Sequence, residues 1–220
     1  MNLLTFTYDN NGNQLTAADY AGTYTNSYDA LNRLTAQTDP LGLALTYQYD
    51  AASNVTLRTD SKGGVLTYVY DNANRLTSEQ FGGAGMTQAR VDLGYDNANN
   101  QSTLTRYTDV AGTTLVGTTV YSYDAAQRLT SIVDKTGAAA TLSYYQYTLN
   151  SAGLVTQESW QSENTVGGTI SGTNTYSYDA TDQLTAADGT ALSYDANGSS
   201  NGGSNVVGTN NELTNDGTWT

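Results

Sequence analysis

The chain alternates between short segments rich in Leu, Val, Thr and Tyr and short clusters of Asp, Asn and Gly. The segments are about five to seven residues long, which is the usual length of a β-strand. In Tyr47-Gln48-Tyr49, the two rings fall on one face of an extended strand and the amide falls on the other. No apolar period typical of a helix extends beyond a single turn. The pattern therefore predicts an all-β chain with turns at the polar clusters.

A Tyr-Asp dipeptide recurs at the ends of these segments. The first intervals between copies are 20, 21 and 21 residues, and later intervals of up to 31 residues indicate insertions. A degenerate copy is assigned to Tyr147-Thr148. The structural residues predicted for the repeat are Tyr8 and Asp9, Tyr28 and Asp29, Tyr49 and Asp50, Tyr70 and Asp71, Tyr95 and Asp96, Tyr123 and Asp124, Tyr178 and Asp179, and Tyr194 and Asp195.

Each unit contains two turns. The first follows Tyr-Asp, and the second carries Asp-x-x-Gly, the signature of a type I turn. In the first turn, Asn32, Asn74 and Asn99 take the place of the Gly seen in Asp9 to Gly12. The return strands are predicted to start at Leu15, Leu34, Val55, Leu76, Leu129 and Leu184. The Asp-x-x-Gly turns are Asp19 to Gly22, Asp39 to Gly42, Asp60 to Gly63, Asp109 to Gly112 and Asp134 to Gly137.

A single two-strand unit cannot bury its aromatic side in water. Stacked units can, because neighbouring strands lie ~4.8 Å apart and equivalent Tyr rings then form ladders. The expected fold is all-β: a repetitive antiparallel β-sheet that spirals into an open or partly closed β-shell or solenoid, with the rings as its core. Residues 1–196 are predicted to form the array of about nine units, and residues 197–220 a Gly-, Ser- and Asn-rich loop with a partial, truncated repeat.

Composition and charge exclude several classes of functional site and of binding partner. The 220 residues include no Cys and no His, which excludes disulfides, thiolate zinc sites and the commonest general base. The formal net charge of −13 argues against nucleic-acid binding, which requires clustered Lys and Arg. No apolar run approaches ~18 residues, so we expect no membrane-spanning helix. The N-terminal segment lacks the basic and apolar regions of a signal peptide.

The acidic residues invite a catalytic or calcium-binding interpretation, which their spacing does not support. An EF-hand loop that started at Asp9 would place Gln14 and Tyr20 where Gly and Glu are needed. Glu158 and Glu163 show no pairing pattern for acid–base hydrolysis. We therefore expect Asp carboxylates that bind their own turns, and no enzymatic activity, metal or cofactor.

Aromatic residues outside the motif are the candidate contacts for a ligand. Trp160 lies in the longest interval between motifs, where an inserted loop is expected, and Tyr144 precedes it. Long loops on a rigid scaffold often carry binding sites, so Trp160 and Tyr144 are the predicted contact residues. Arg33, Arg75 and Arg128 are expected to pair with Asp residues of neighbouring units.

The run Tyr-x-Tyr-Asp-x-x-x-Arg-Leu-Thr occurs at residues 68–77 and 121–130, with partial copies at 28–35, 47–56 and 176–185. It resembles the tyrosine-aspartate (YD) repeat of the RHS-repeat family. The resemblance implies a β-sheet that closes into a hollow shell, which encloses a C-terminal toxin in bacterial members and serves adhesion in the related teneurins. The run Asp39-Pro40-Leu41-Gly42 has the letters of the family's self-cleavage motif. Because it lies within a repeat, we interpret it as a turn.

Three functions remain open at this stage. The leading hypothesis is a structural module of a secreted or cell-surface bacterial RHS protein, whose partners are further repeats and an enclosed toxin of the same polypeptide. The second is an adhesion module that binds glycans or proteins through inserted loops. The third is a self-assembling β-fibre subunit, since a sheet with unpaired edges invites strand addition.

Overall fold

The chain folds into short β-strands joined by tight turns. The computed structural model describes residues 4–164, 168–194, 198, 205–207 and 213–216. Within these residues there is no helix, and so no helix long and apolar enough to cross a membrane. In chain order the strands are β1 (Thr5–Tyr8), β2 (Gln14–Asp19), β3 (Gly22–Tyr28), β4 (Leu34–Thr38), β5 (Ala44–Tyr49), β6 (Val55–Asp60), β7 (Val65–Tyr70), β8 (Leu76–Gly82), β9 (Ala89–Tyr95), β10 (Gln101–Tyr107), β11 (Leu115–Tyr123), β12 (Leu129–Thr136), β13 (Thr141–Leu149), β14 (Val155–Asn164), β15 (Gly168–Tyr178), β16 (Leu184–Ala187), β17 (Thr190–Ala191), β18 (Asn205–Val207) and β19 (Leu213–Asp216).

The strands pair in chain order within two compact units. The first unit comprises Met1–Thr118 with Gly137–Ala139, and the second comprises Thr119–Thr136 with Ala140–Thr220. In the first unit, each strand from β1 to β10 pairs with the next. In the second, β12 to β17 pair in the same way, and β18 pairs with β19. Every one of these pairs is antiparallel, which confirms the all-β, repetitive antiparallel sheet predicted from the sequence.

The Tyr-Asp motif closes its hairpins in one register, as seen at Tyr8, Tyr28, Tyr49, Tyr70, Tyr95 and Tyr178. The motif Tyr pairs with the residue six positions later, as Tyr49 does with Val55. A register shift directly before the Tyr marks a β-bulge, which increases the local twist of the strands. Leu149 and Val207 each pair with the residue six positions later and show the same shift. The hairpin of the repeat is therefore present at these two positions, although neither carries Tyr-Asp.

The return strands begin close to where the sequence places them. Strands β4, β6, β8, β12 and β16 start at the predicted Leu or Val. Strand β2 starts one residue early, at Gln14 instead of Leu15, because Gln14 is the partner of Tyr8 across the hairpin. The apolar residue after the turn therefore marks the strand start to within one position.

The turn predicted at Asp134 to Gly137 is wrong. Strand β12 continues to Thr136, whose N–H donates to the Ala140 carbonyl oxygen at 2.8 Å. The Asp134 carboxylate instead accepts hydrogen bonds from the Thr119 hydroxyl (2.6 Å) and the Ser143 hydroxyl (2.9 Å). These neighbouring hydroxyls satisfy Asp134 within the sheet, so it stays in the strand.

The aromatic rings are half-buried and do not form a closed core. No hydrophobic side chain among the described residues is buried; the buried side chains with polar groups are Ser78 and Thr119. Tyr47 and Tyr49 are partly covered, and Gln48 between them is exposed, so the predicted alternation is correct. The expectation that the rings form the core is wrong, because no ring among the described residues is buried.

Candidate functional site: the Tyr-Asp latch between repeats

The motif Asp fixes the turn that follows it. The Oδ1 atom of Asp29 accepts hydrogen bonds from the backbone N–H groups of Leu31 (2.9 Å) and Arg33 (3.0 Å). The Arg33 N–H, foremost, holds the pKa of the Asp29 carboxyl below its usual value. The same pair of bonds, from the residues two and four positions on, recurs at Asp9, Asp71, Asp96, Asp124 and Asp179. Asp195 lies outside the described residues.

The motif Tyr binds the preceding repeat. The Tyr49 hydroxyl donates a 2.7 Å hydrogen bond to the carbonyl oxygen of Leu34, the first residue of the preceding return strand. Burial, foremost, raises the pKa of this phenol, and the neutral phenol is the form that donates. Equivalent bonds of 2.8 to 3.0 Å join Tyr28 to Gln14, Tyr95 to Leu76 and Tyr178 to Val155.

The Arg four residues after the motif Asp binds the following repeat. The Arg33 Nε atom donates to Asp29 Oδ2 at 2.8 Å, within its own turn. Its Nη1 atom donates to the carbonyl oxygen of Asp50 in the next turn (3.0 Å), and its guanidinium lies 4.6 Å from the centre of the Tyr49 ring. The expected ion pairs with neighbouring units are therefore wrong. The carboxylate partner is four residues away, and the contact with the next unit is made by a carbonyl and a ring.

Arg75 and Arg128 repeat this arrangement. Arg75 pairs with Asp71 (2.7 Å), lies over the Tyr95 ring (4.5 Å) and donates to the Asn99 side chain (2.7 Å). Arg128 pairs with Asp124 at 2.6 Å and donates to the Asn150 carbonyl at 2.9 Å. Each Arg thus holds its own turn and the next one together.

We call these contacts of the motif Tyr, the motif Asp and the Arg four residues later the latch between repeats. In other repeats, Asn takes the place of this Arg. Asn13 Nδ2 donates to Asp9 Oδ2 (2.8 Å) and to Asn32 Oδ1 (2.7 Å). Asn32 has a left-handed backbone with φ of 61°, a conformation that Asn tolerates because its short polar side chain bonds locally. Asn54 and Asn74 make the same contact two repeats later, at 3.1 Å. The predicted Asn positions therefore serve two purposes, since they permit the turn and accept a bond from the preceding unit.

The degenerate repeat is displaced by two residues from its predicted place. Asn150, rather than Thr148, occupies the Asp position: its Oδ1 atom accepts the Leu154 N–H at 3.0 Å, and its carbonyl accepts the Gly153 N–H at 3.0 Å. Leu149 takes the Tyr position and pairs with Val155. The Val-Thr pair that follows the turn was the sequence signal for this register.

The Asp-x-x-Gly turns connect the strands at the ends opposite the Tyr-Asp turns. The N–H groups of Gly42, Gly63 and Gly112 donate to the carbonyl oxygens of Asp39 (3.0 Å), Asp60 (3.2 Å) and Asp109 (3.3 Å). The Asp39 run is therefore a turn, as interpreted from the sequence. The remaining turn is shorter, with Asp19 directly opposite Gly22.

The structure separates the two predicted ligand contacts, Trp160 and Tyr144. Trp160 lies in the middle of strand β14, so the expectation of an inserted loop is wrong. It is paired with Tyr145, whereas Tyr144 is paired with Gln161. Because paired residues share a face and successive residues alternate, Trp160 and Tyr145 lie on one face and Tyr144 lies on the other. Tyr145, which the sequence analysis missed, is the aromatic neighbour of Trp160.

The latch consists of hydrogen-bonded and ion-paired groups. Within the described part of the chain, no cluster of three or more acidic, Cys or His side chains could hold a metal ion. The motif carboxylates are engaged by their own turns, and their pKa values are lowered. A carboxyl with a lowered pKa is a poor general acid at neutral pH. The chemistry of the site is therefore that of a repeated structural lock.

One family model and several solved structures are similar to this chain. A family model described as RHS Repeat matches residues 28–65. A search of curated proteins finds no significant match. A crystal structure of TcdB2-TccC3-Cdc42 is 20% identical, covers 84% of this chain and has a TM-score of 0.67. A structure of TcdB2-TccC3 without its hypervariable C-terminal region also covers 84%, at 20% identity and a TM-score of 0.66.

A structure of the Photorhabdus luminescens Tc holotoxin pore with a mutated TccC3 covers 90% of this chain, at 15% identity and a TM-score of 0.54. This chain spans about 10% of the TcdB2-TccC3 chains and 15% of the holotoxin chain. At these identities, the likeness concerns the fold. Together with the family match, it confirms the resemblance drawn from the Tyr-Asp motif: residues 28–65 match the RHS Repeat model, and the sheet is similar in fold to a segment of TcdB2-TccC3.

Proposed function

We propose that this chain is a wall segment of a larger RHS shell that encloses a polypeptide. The observation that carries the proposal is the latch, because it joins successive units through side chains. At one such junction, the Tyr49 hydroxyl binds the Leu34 carbonyl of the preceding unit, and Arg33 of that unit covers the Tyr49 ring. Such a lock suits a module whose work is mechanical.

The size relationship supports a wall segment. The chain matches about a tenth of the length of the TcdB2-TccC3 chains, one of which is described as lacking a hypervariable C-terminal region. We infer that the polypeptide containing this segment carries further repeats and a variable segment as its cargo, and that it acts outside the cell or at the cell surface. The spiral and closure of the sheet, and the division at residues 196 and 197, remain predictions.

Limited proteolysis of the native polypeptide tests the proposal. The polypeptide is isolated from its source cells and mapped by mass spectrometry before and after protease treatment. We expect repeats that continue beyond this segment and a second segment that resists cleavage. A double variant, Tyr49→Phe with Tyr95→Phe, should weaken two junctions and speed cleavage of the protected segment. The proposal would be contradicted if every segment outside the repeats were cleaved at the same rate in the unmodified polypeptide and in the double variant.

A second candidate function is contact with a glycan or a partner protein, favoured by the aromatic row on β13 and β14. Tyr145 is 38% exposed, and the Trp160 ring lies beside Gly172 of β15. One row away on the same face, Asn174 Nδ2 donates to Glu158 Oε2 at 3.1 Å. An aromatic surface beside a carboxylate and an amide can stack on a sugar ring and bind its hydroxyl groups.

Glycan-array binding tests this second function. Trp160→Ala should abolish any binding, and Arg75→Ala, in the other compact unit, should leave it intact. Tyr144→Ala is a matched aromatic control, because Tyr144 lies on the opposite face of the sheet. Absence of binding at millimolar glycan, or equal loss in the Tyr144 variant, would contradict it.

A further inference from the structure

A small cavity lies on one face of strands β7 and β8, within the first compact unit. Its volume is about 230 Å³. Val65 pairs with Gly82 and Thr67 pairs with Gln80, and these four residues form its floor. Because successive residues of a strand point to opposite faces, the cavity lies on the face opposite the ring of Tyr68.

The segments that follow β8 and β10 form the walls of the cavity. Gln88, directly before β9, and Val110, after β10, both line it. Gln88 Oε1 accepts the Val110 N–H at 3.3 Å, and Arg90 Nη1 donates to the Val110 carbonyl oxygen at 3.2 Å. The backbone of Val110 is therefore held on both sides. A cavity that the fold has already built costs less to order when a ligand binds.

The space in the cavity comes from a glycine that the backbone does not require. The φ angle of Gly82 lies outside the left-handed region, and a Cβ there would meet Val110 Cγ1 at an ordinary contact distance of 3.5 Å. Gly83 differs, because a Cβ there would collide with the Gly63 carbonyl oxygen. Gly82 is the seventh residue of its return strand, and in β10, β12 and β14 the seventh residue carries a side chain, as Tyr107, Lys135 and Gln161.

The lining of the cavity keeps three polar groups for a ligand. Gln80 Nε2 donates to the Ser78 hydroxyl at 3.3 Å, and Gln88 uses its Oε1 atom for Val110. In the described part of the chain, Gln80 Oε1, Gln88 Nε2 and the Thr67 hydroxyl have no hydrogen-bond partner. The amide oxygen accepts, the amide nitrogen donates, and the hydroxyl can do both.

We propose that this cavity binds the acetamido group of an N-acetylated amino sugar. An acetamido group carries one N–H donor, one carbonyl acceptor and one methyl group. Gln80 Oε1 accepts the N–H and Gln88 Nε2 donates to the carbonyl, while the methyl group packs against Val65 and Val110. The Thr67 hydroxyl binds a hydroxyl of the sugar ring.

The charge and the size of the cavity restrict its ligand. No charged side chain lines it among the described residues, and a charged ligand would lose its hydration without gaining a partner. The cavity is smaller than the roughly 300–1,000 Å³ of sites for drug-sized ligands, so it accommodates a single sugar unit. The inference goes beyond the wall-segment proposal and does not rest on it. It is also separate from the aromatic row on β13 and β14, which belongs to the second compact unit.

A titration of the chain with N-acetylglucosamine, followed by NMR, tests the site. A ligand of this size should bind with a Kd of about 1 mM. The side-chain amide signals of Gln80 and Gln88 and the backbone amide signal of Gly82 should shift. Glucose, which lacks the acetamido group, should bind about tenfold more weakly. Equal affinity for glucose, or shifts confined to Tyr145 and Trp160, would overturn the proposal.

Variants that change the cavity separate binding from folding. Gly82→Val should abolish binding, because its methyl groups fill the space, and a β-branched residue suits a strand. Thr67→Val keeps the shape of the side chain and should weaken binding about two- to tenfold. Thr25→Val, at an exposed residue of β3, is the matched control and should bind normally. Urea denaturation shows whether each variant is folded.

The two variants of the cavity give independent outcomes. Undiminished binding by folded Gly82→Val would overturn the proposed position of the sugar. If Gly82→Val does not fold, Thr67→Val decides the question by comparison with Thr25→Val. Equal affinity of those two variants would then overturn the proposal, since the hydroxyl in the cavity would contribute nothing.

Discussion

The hydroxyl of Tyr49 donates a 2.7 Å hydrogen bond to the carbonyl oxygen of Leu34, which lies in the preceding repeat. Arg33, next to Leu34, covers the Tyr49 ring at 4.6 Å and bonds its own Asp29 at 2.8 Å. One Tyr therefore meets two successive residues of the preceding unit, one through its hydroxyl and the other through its ring. This arrangement explains why the motif combines Tyr, Asp and Arg at fixed spacing.

Removal of the Tyr49 hydroxyl should loosen this junction. Tyr49→Phe keeps the ring under Arg33 and leaves the Leu34 carbonyl without its donor. We expect a loss of about 0.5–1.5 kcal/mol in unfolding free energy, measured by urea denaturation. Tyr20→Phe is the matched control, because Tyr20 is 84% exposed and lies outside the motif. Equal effects of the two substitutions would show that the hydroxyl bond contributes nothing.

The turns and strand starts of this fold follow closely from local sequence. Asp at the first turn position and Gly or Asn at the fourth predict a reversal. The structure places left-handed residues there, including Gly12, Asn32, Asn74 and Asn99. The apolar residue that follows predicts the return strand. These predictions succeed because one short-range motif determines each of them.

The contacts between units were not predictable from the same motif. The pairing of Arg33 with Asp29 depends on the side-chain path across a turn, and the wrong partner was expected. The strand that holds Trp160 reads as a polar insertion, Gln157 to Asn164, because both faces carry polar groups. Because polar residues lie on both sides of a single Trp, the segment lacks the alternation of polar and apolar positions that would predict a strand. Only the pairing with the flanking strands shows that the insertion lengthens a hairpin.

Arg75→Lys should open the junction to the next repeat. Lysine keeps the charge but cannot reproduce the planar fork that joins Asp71, Asn99 and the Tyr95 ring. Loss of the ring contact alone should cost about 0.5–1 kcal/mol. Hydrogen exchange of the amides in β8 to β10 should accelerate. Lys62→Ala, at an exposed turn residue, should leave that exchange unchanged, and equal acceleration in both variants would exclude a specific role for the guanidinium.

Gln127→Asn should stabilise the chain. Gln127 has a left-handed backbone with φ of 61°, at the position where other repeats carry Asn or Gly. This conformation costs ordinary residues roughly 1–2 kcal/mol, and Asn visits it more readily. We expect a gain of about 0.5 kcal/mol, equivalent to about 1–2 °C in Tm for a chain of this length. Ala126→Asn, one residue earlier in the same turn, should give no gain in calorimetry; a similar rise there would contradict the backbone explanation.

Gly172→Ala should displace the Trp160 ring. A Cβ at position 172 would lie 2.8 Å from Cζ2 and 2.9 Å from Cε2 of the indole, closer than side chains allow. The ring must shift, and overpacking of this kind costs about 1–3 kcal/mol. The emission maximum of Trp160 should change, measured in a Trp219→Phe background so that one indole remains. Ser171→Ala, on the opposite face beside Gln161, should preserve both stability and emission.

Acid should weaken the sheet through its turn carboxylates, and Asp109 should contribute most clearly. Its Oδ1 atom accepts the Thr113 N–H at 3.0 Å and its Oδ2 atom accepts the Thr114 N–H at 2.6 Å. These bonds, with that from Thr113 foremost, lower the pKa of Asp109 from 3.8 to about 2. A carboxyl with a lowered folded-state pKa contributes its stability above the unfolded value. That contribution is lost as the pH falls from 3.8 through 2.

The unfolding free energy should therefore stay nearly constant from about pH 7 to pH 5 and fall steeply below about pH 4. Asp109→Asn removes one titrating group, so its stability should fall less steeply over the same range. Asp19→Asn is the matched control, because the Asp19 carboxylate accepts one backbone N–H, from Ala21 at 2.8 Å. Urea denaturation at intervals of half a pH unit measures the slopes. If Asp109→Asn and the unmodified chain lose stability with the same slope, the turn carboxylate is not the acid-sensitive group.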